Sequence, residues 1–151
     1  MIVIAPATKD DLPAFIALLE EMDAIYGDVT EGTTEERMAR VSAVLFGQPP
    51  KATVLLAKDA DQLVGMASYS FLWPAVGVST SLYLKELYVR QAQRRAGVGK
   101  LLMDRLIDIA KREGCTRVEW TTDRSNVEAQ RFYERLDFGV NDSKLFYRIN
   151  P

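Results

Sequence analysis

Residues 81 to 122 constrain the fold of this chain more than any other part of it. Ser81–Val89 (SLYLKELYV) is rich in aromatic and aliphatic residues and reads as a strand. From Val98 to Arg112, the residues Val98, Leu101, Leu102, Leu106, Ile109 and Ala110 fall on one helical stripe. Gly114 ends that helix, and Arg117–Thr122 resumes a strand pattern. Strand, helix and strand in succession make a parallel crossover, which is right-handed in nearly all folds. A β-α-β unit is therefore the fixed point around which the rest must arrange.

The remaining elements precede and follow it. Ile2–Ala5 is a short apolar strand. Asp10 or Asp11 caps a helix with Pro13 in its first turn, and Phe15, Ile16, Leu18, Leu19 and Met22 recur at helical spacing. Thr33-Thr34-Glu35-Glu36 starts a second helix that runs to Val44 or Leu45. Ala52–Ala57 and Leu63–Leu72 are strands joined by a turn at Asp59-Ala60-Asp61, and Trp73–Ser79 is a long hairpin connection. Asn126–Leu136 is a helix and Lys144–Ile149 a last strand. The three middle strands should pair antiparallel. The expected architecture is one α+β domain over residues 1–151, with a mixed, mostly antiparallel sheet and a local α/β unit. No repeat, low-complexity tract or linker interrupts it, and 151 residues suffice for one core.

Composition removes several kinds of chemistry. The chain has no histidine, so serine–histidine and cysteine–histidine hydrolases are excluded, and zinc loses its commonest nitrogen ligand. With Cys115 as the sole cysteine, no internal disulfide can form, and no metal site is expected. No stretch reaches the ~20 apolar residues of a membrane span, and Met1–Asp11 lacks the features of a signal peptide. These features point to a cytoplasmic protein without a membrane partner.

Charge is unevenly placed although the net value is only −2. Residues 10–36 carry nine acids and no Lys or Arg, whereas residues 90–117 carry eight bases against three acids. One end is suited to a cation and the other to an anion, unless both are simply solvated helix faces.

The basic end contains a glycine loop, Arg94-Arg95-Ala96-Gly97-Val98-Gly99, between the strand and its strong helix. Glycine lets the backbone turn tightly and approach a ligand. Unpaired N–H groups of the helix's first turn, with the dipole behind them, make a cradle for pyrophosphate. Arg94, Arg95 and Lys100 add full charges. The loop is not a Walker A motif, which needs Gly at 94 and Ser or Thr after Lys100, where Arg94 and Leu101 stand. A dinucleotide fingerprint would need Gly at 102, where Leu102 stands.

About thirty residues downstream comes a second pattern, Asn126-x-x-Ala129-x-x-Phe132-Tyr133, with Ala129, Phe132 and Tyr133 on one face of a helix begun by Asn126. Arg-x-x-Gly-x-Gly on a strand-to-helix turn, followed by Asn-x-x-Ala-x-x-Phe-Tyr, resembles motifs A and B of the Gcn5-related N-acetyltransferase (GNAT) superfamily. The resemblance spans residues 2–149 in element order and is most specific over 82–138. A weaker similarity, carried by Leu82–Val89, the Trp73-Pro74 hairpin and the start of the chain, is to the diamine and polyamine acetyltransferase branch. Two positions depart from the pattern. Asp137 stands where the family usually has glycine, and Lys85 stands where the branch usually has glutamate.

The resemblance implies a GNAT fold and a single cosubstrate, acetyl-coenzyme A. It implies that the backbone of Leu87, Tyr88 and Val89 binds the pantetheine arm and that Arg94, Arg95, Ala96, Gly97, Val98, Gly99 and Lys100 hold the pyrophosphate. Asn126, Ala129 and Phe132 would flank the coenzyme, and Tyr133 would lie near its sulfur. The implied reaction is direct attack of an amine on the thioester carbonyl. A base must first take a proton from the ammonium, and donors must meet the oxyanion. Tyr133 is the expected acid for the leaving thiolate, and a backbone N–H near Leu87 the expected oxyanion donor. Glu86 is the expected base, although a bulge in its strand would decide which side chain reaches the site; Glu119 on the next strand is a second carboxylate. Cys115 reads as a small buried residue.

In this family the two N-terminal helices wall the acceptor side. The acid-only run, and Glu20, Glu21, Asp23 and Tyr26 within it, therefore imply a small cationic acceptor such as a diamine, polyamine or basic amino acid. A homodimer is the family-level expectation. Two other readings compete: an acyl-coenzyme A sensor without turnover, and a nucleic-acid-associated protein using the basic segment. A pI near 5.3 speaks against the second.

Overall fold

The computed structural model describes residues 1–151. Its elements are β1 (Ile2–Pro6), α1 (Leu12–Tyr26), α2 (Thr34–Phe46), β2 (Thr53–Asp59), β3 (Gln62–Leu72), β4 (Thr80–Val89), α3 (Val98–Arg112), β5 (Cys115–Glu119) and α4 (Val127–Arg135). The five strands form one sheet in the order β1-β2-β3-β4-β5. Pairs β1–β2, β2–β3 and β3–β4 are antiparallel, while β4–β5 is parallel, as the crossover through α3 requires. The chain packs as two units, residues 1–120 and 121–151.

In the first unit, the helices divide between the faces of the sheet. Phe15 and Leu18 of α1, with Leu19, Met22, Val41 and Leu45 beside them, pack on Val54, Leu56, Leu63, Met66 and Tyr88. The intervening residues Leu55, Ala57 and Ala67 are fully buried on the opposite face, where α3 lies. There Leu102, Met103 and Leu106 are completely buried, and truncating one of them to Ala should cost about 2–5 kcal/mol. Gly65 shows how tight the α3 side is. A Cβ on it would lie 2.9 Å from the Tyr88 carbonyl oxygen and 3.4 Å from Val98, so only glycine lets β3 pass under the start of α3.

The start of α2 follows its sequence signal, whereas neither Asp10 nor Asp11 makes the expected side-chain cap on α1. Thr33 caps α2 through a capping box with Glu36, the Thr33 amide reaching Oε2 at 2.8 Å. A 3-10 turn over Lys9–Asp11 precedes α1, and Asp11 closes its own box by accepting from Thr8 N and Oγ1 at 2.8 and 3.0 Å.

Two expectations shift. The fifth strand runs over Cys115–Glu119, not Arg117–Thr122, because Gly114 takes a left-handed φ of 71° and the chain enters the sheet at once. No strand forms over Lys144–Ile149 in the second unit. Leu145, Phe146, Tyr147 and Ile149 are 79, 66, 84 and 86% exposed. Their alternation suits a strand, but no other strand pairs with them, and a lone extended segment gains no ladder hydrogen bonds.

Candidate active site

β4 carries the geometry of the site. Its pairing with β5 covers only Thr80–Tyr83, the last pair being Tyr83 with Glu119. Beyond that point the two strands part. Leu84–Val89 continues paired to β3 on one side and has no strand on the other. The backbone groups of Leu87 and the N–H of Val89, which alternate with the Tyr88 groups turned to β3, thereby have no strand partner and can meet a ligand.

A bulge sets the side-chain faces. Glu86 pairs with Ser68 and Leu84 with Tyr69, so Lys85 has no partner across the ladder. Before the bulge, Tyr83 pairs with Ser70; after it, Glu86 is two residues from Tyr88. Directly paired residues point to the same face, and Tyr88 lies in the core beneath α1. Tyr83, Glu86, Ser68, Ser70 and Glu119 therefore share the α1 face of the sheet. The candidate base Glu86 and the second carboxylate Glu119 come to one face, and Lys85 is the residue set apart. Glu119 accepts from Ser81 Oγ at 2.8 Å, which fixes its carboxylate over the strand.

β4 runs directly into the glycine loop. The Arg90 amide closes the ladder on Val64 O at 2.9 Å, and a 3-10 turn over Gln91–Gln93 follows. Arg95 takes a φ of 67° and Gly97 a φ of 82°. Gly97 is the N-cap of α3 and offers no side chain to its first-turn amides. α2 and α4, by contrast, are capped by Thr33 and Asn126. The amides of Val98, Gly99 and Lys100 thus point outward with the helix dipole behind them. A Cβ on Gly97 would meet nothing within 4 Å. The positive φ makes any replacement strained even before a ligand arrives. Lys100 pairs with Asp104 at 2.7 Å, an i,i+4 contact on the exposed side of α3.

α1 is tied to this loop. Arg90 Nε donates to Glu21 Oε2 at 2.8 Å and the Tyr88 hydroxyl to Oε1 at 3.3 Å. Arg94 Nε donates to Val89 O at 3.0 Å, and its guanidinium lies 5.9 Å from the centre of the Tyr88 ring. Burial, then the negative charge of Glu21, raises the Tyr88 pKa above the usual tyrosine range. Tyr26, about half exposed, adds to that shift. Glu21 is thus an internal counter-ion for Arg90 rather than a carboxylate turned wholly to an acceptor. Asp23 instead lines a small cavity of about 150 Å³ between α1 and α2, together with Glu20, Thr30, Arg37 and Arg40.

The second unit holds the other motif. Asn126 Oδ1 accepts from the Ala129 amide at 3.1 Å and starts α4. Phe132 and Tyr133 meet edge to face at 5.1 Å. α4 ends with Asp137 at a φ of 64°. The Phe138 amide donates back to Tyr133 O at 3.0 Å and the Asp137 amide to Glu134 O at 2.9 Å. This is a Schellman closure, whose left-handed position favours glycine. The unusual Asp137 therefore occupies the geometry that the family's glycine would serve, and Asp is among the few residues that tolerate it.

Cys115 is half-buried, and burial, then the charge of Glu113, raises its pKa, so it is a poor nucleophile. Sequence reasoning missed Arg90 and Ser81 as site residues. Their partners lie 69 and 38 residues away, and no local spacing announces such pairs.

The sequence profile described as the acetyltransferase (GNAT) family matches residues 17–138. An aminoglycoside N(6')-acetyltransferase type 1 from Serratia marcescens is 28% identical over 152 residues, 98% of this chain and 97% of that protein. A thialysine N-epsilon-acetyltransferase from Caenorhabditis elegans is 23% identical over 95% of this chain and 84% of its own length. Among solved structures, an integron cassette protein from the mobile metagenome of V. cholerae superposes with a TM-score of 0.90 at 25% identity, covering 99% of this chain and 93% of that one.

Proposed function

The chain belongs to the acetyltransferase (GNAT) family and is an acetyl-transferring enzyme that uses acetyl-coenzyme A, and on that premise we propose that it N-acetylates a small cationic amine by direct attack in a ternary complex. The observation that carries this reading is the pair of carboxylates, Glu86 and Glu119, on one sheet face beside the open edge of β4. A carboxylate there can stabilise the incoming ammonium and take its proton. The acid-only run of α1 and its loop adds a field that concentrates cations. Two relatives bear names of enzymes that act on amino compounds, an aminoglycoside and thialysine.

The residues fit the cosubstrate. The uncapped amides of Val98, Gly99 and Lys100, with Arg94 and Arg95, would hold the pyrophosphate, and the outward backbone groups of the Leu87–Val89 segment would hydrogen-bond the pantetheine amides. The acetyl thioester supplies the electrophile. Glu86, directly or through water, accepts the ammonium proton; Glu119 holds a second positive charge of the acceptor. Tyr133 delivers a proton to the departing thiolate. Family membership is the ground on which we also propose a cytoplasmic homodimer, and sedimentation of the purified chain tests its oligomeric part.

A turnover assay following release of the coenzyme thiol, against spermidine, kanamycin, L-lysine, a neutral amide and an amino dicarboxylate, tests the acceptor class. The cationic compounds should have the lowest KM, and that KM should rise with salt toward ~0.15 M, where exposed charges are screened. A best acceptor that is neutral or anionic, with KM indifferent to salt, would refute the cationic reading.

A further inference from the structure

Arg37 is the first basic residue after the acid-only run of residues 10–36. It sits in the first turns of α2, where the positive end of the helix dipole disfavours a cation, so helix stability does not explain its position. Its guanidinium makes contacts in several directions. Nη2 forms an ion pair with Glu20 of α1 and donates to Thr34 Oγ1 at 3.4 Å. Nη1 donates to the carbonyl of Gly32 and to that of Glu31 at 3.3 Å. Its Nε is buried without a partner beside the small cavity between α1 and α2.

The middle of the loop it grips, residues 29–32, has few other contacts. Residues 27–33 (GDVTEGT) bury no side chain fully, Val29 is 84% exposed, and Gly27 and Gly32 adopt φ values of 76° and 82°. Packing therefore does not order this segment; the amides of Gly27 and Asp28 close its start on Ala24 O and Asp23 O, the capping box holds its end, and the Arg37 fork holds what lies between. A planar guanidinium can serve a carboxylate and two carbonyls at once, which a lysine ammonium on a flexible stem does poorly.

The same contacts sort the acids of the wall. Glu20 is neutralised by Arg37 and Glu21 by Arg90. Asp23, one turn beyond Glu20 and on the wall of the same cavity, has no ion-pair partner.

Resting on the cationic-acceptor reading above, we propose that Arg37 is a positioning residue for acceptor specificity. It locks the α1–α2 loop and withdraws Glu20, so that Asp23 is the carboxylate presented to the distal positive charge of the acceptor. The role is one of preorganisation: an ordered wall binds without first ordering itself.

The test uses the full chain with Arg37→Met, Arg37→Lys and Glu20→Gln, with circular dichroism to establish folding. Arg37→Met should raise KM for the best cationic acceptor of the panel by about tenfold, the scale of ordering a short loop on binding. kcat and the Kd for coenzyme A should stay within about twofold. Hydrogen exchange of the amides of residues 28–32 should accelerate. Arg37→Lys, which keeps the charge but loses the fork, should fall between, and Glu20→Gln should have a smaller effect. Accelerated exchange with an unchanged KM would overturn the link to the acceptor; unchanged exchange would overturn the lock itself. A drop in kcat equal to the rise in KM, or a loss of coenzyme affinity, would mean a general structural role instead. If the wild-type enzyme turns over only neutral or anionic amines, the cationic reading falls; the exchange experiment still decides whether the lock exists.

Discussion

Glu21 and Arg90 are joined across the junction of α1 and β4, with Arg90 Nε 2.8 Å from Glu21 Oε2. Arg90 stands where the strand gives way to the glycine loop, so the contact fixes the angle at which the loop leaves the sheet. With side chains about one-third exposed, the pair contributes only ~0–1 kcal/mol to stability. Glu21→Gln should therefore leave the melting temperature almost unchanged. It should weaken coenzyme A binding by roughly fivefold, the equivalent of about 1 kcal/mol, with little change in acceptor KM. Calorimetry with coenzyme A checks this, and wild-type affinity in a folded variant would leave the pair without a role in the loop.

Tyr133→Phe removes one hydroxyl and keeps the ring that packs on Phe132. If the hydroxyl protonates the leaving thiolate, kcat should fall by ~10²–10⁴-fold, with coenzyme affinity nearly constant. The measurement needs conditions in which chemistry limits turnover; an unaltered kcat there would reduce Tyr133 to packing.

Asp137→Gly should stabilise the protein. The residue holds a φ of 64° at the close of α4, a conformation that glycine adopts without strain. The relief exceeds the extra chain entropy of glycine when unfolded, giving up to about 1 kcal/mol and a rise in melting temperature of about 2–4 °C. Thermal unfolding of the two proteins side by side tests the sign.

Acid should unmask the bond between Asp11 and Lys58, whose Oδ1 and Nζ are 2.5 Å apart. Burial alone would raise the Asp11 pKa, but the Lys58 contact and two hydrogen bonds from Thr8 outweigh it and hold the carboxyl below its ordinary range. A depressed folded-state pKa contributes stability that is complete above the unfolded value of ~3.9 and lost as pH falls through the folded value. Asp11→Asn should thus cost about 1–2 kcal/mol at neutral pH, and that difference should close below the ordinary carboxyl pKa. Urea denaturation at pH 7 and pH 3 checks both ends; a gap of equal size at the two pH values contradicts it.

The elements that position the site were legible because their signals are local. The stripe from Val98 to Ala110, the capping box at Thr33–Glu36 and the glycine loop each announce themselves within a few residues. Lys85 marks where that ends. Alternation along β4 predicts opposite faces for neighbouring residues, yet the extra residue in the ladder depends on how β3 pairs with it. The partners of Glu21 and Glu119 likewise depend on tertiary approach. The segment Lys144–Ile149 shows the converse: its residues alternate as a strand should, and no ladder forms.

The parting of β4 from β5 also bears on how the protein must be handled. Six residues of central-strand backbone, Leu84–Val89, run without a neighbour on one side, and several of them are apolar. A strand edge without a ladder partner is a template for any extended chain that meets it. Proteins blunt such edges with charge, bulges or cover, and here the bulge at Lys85 and the charges of Lys85 and Glu86 blunt only the first half of this one. If the coenzyme's amide-bearing arm lies along this edge, as proposed above, the cosubstrate adds a cover that the fold itself supplies only in part. On that reading, solubility and catalysis draw on the same stretch of backbone, and adding coenzyme A should lower any tendency of the protein to self-associate.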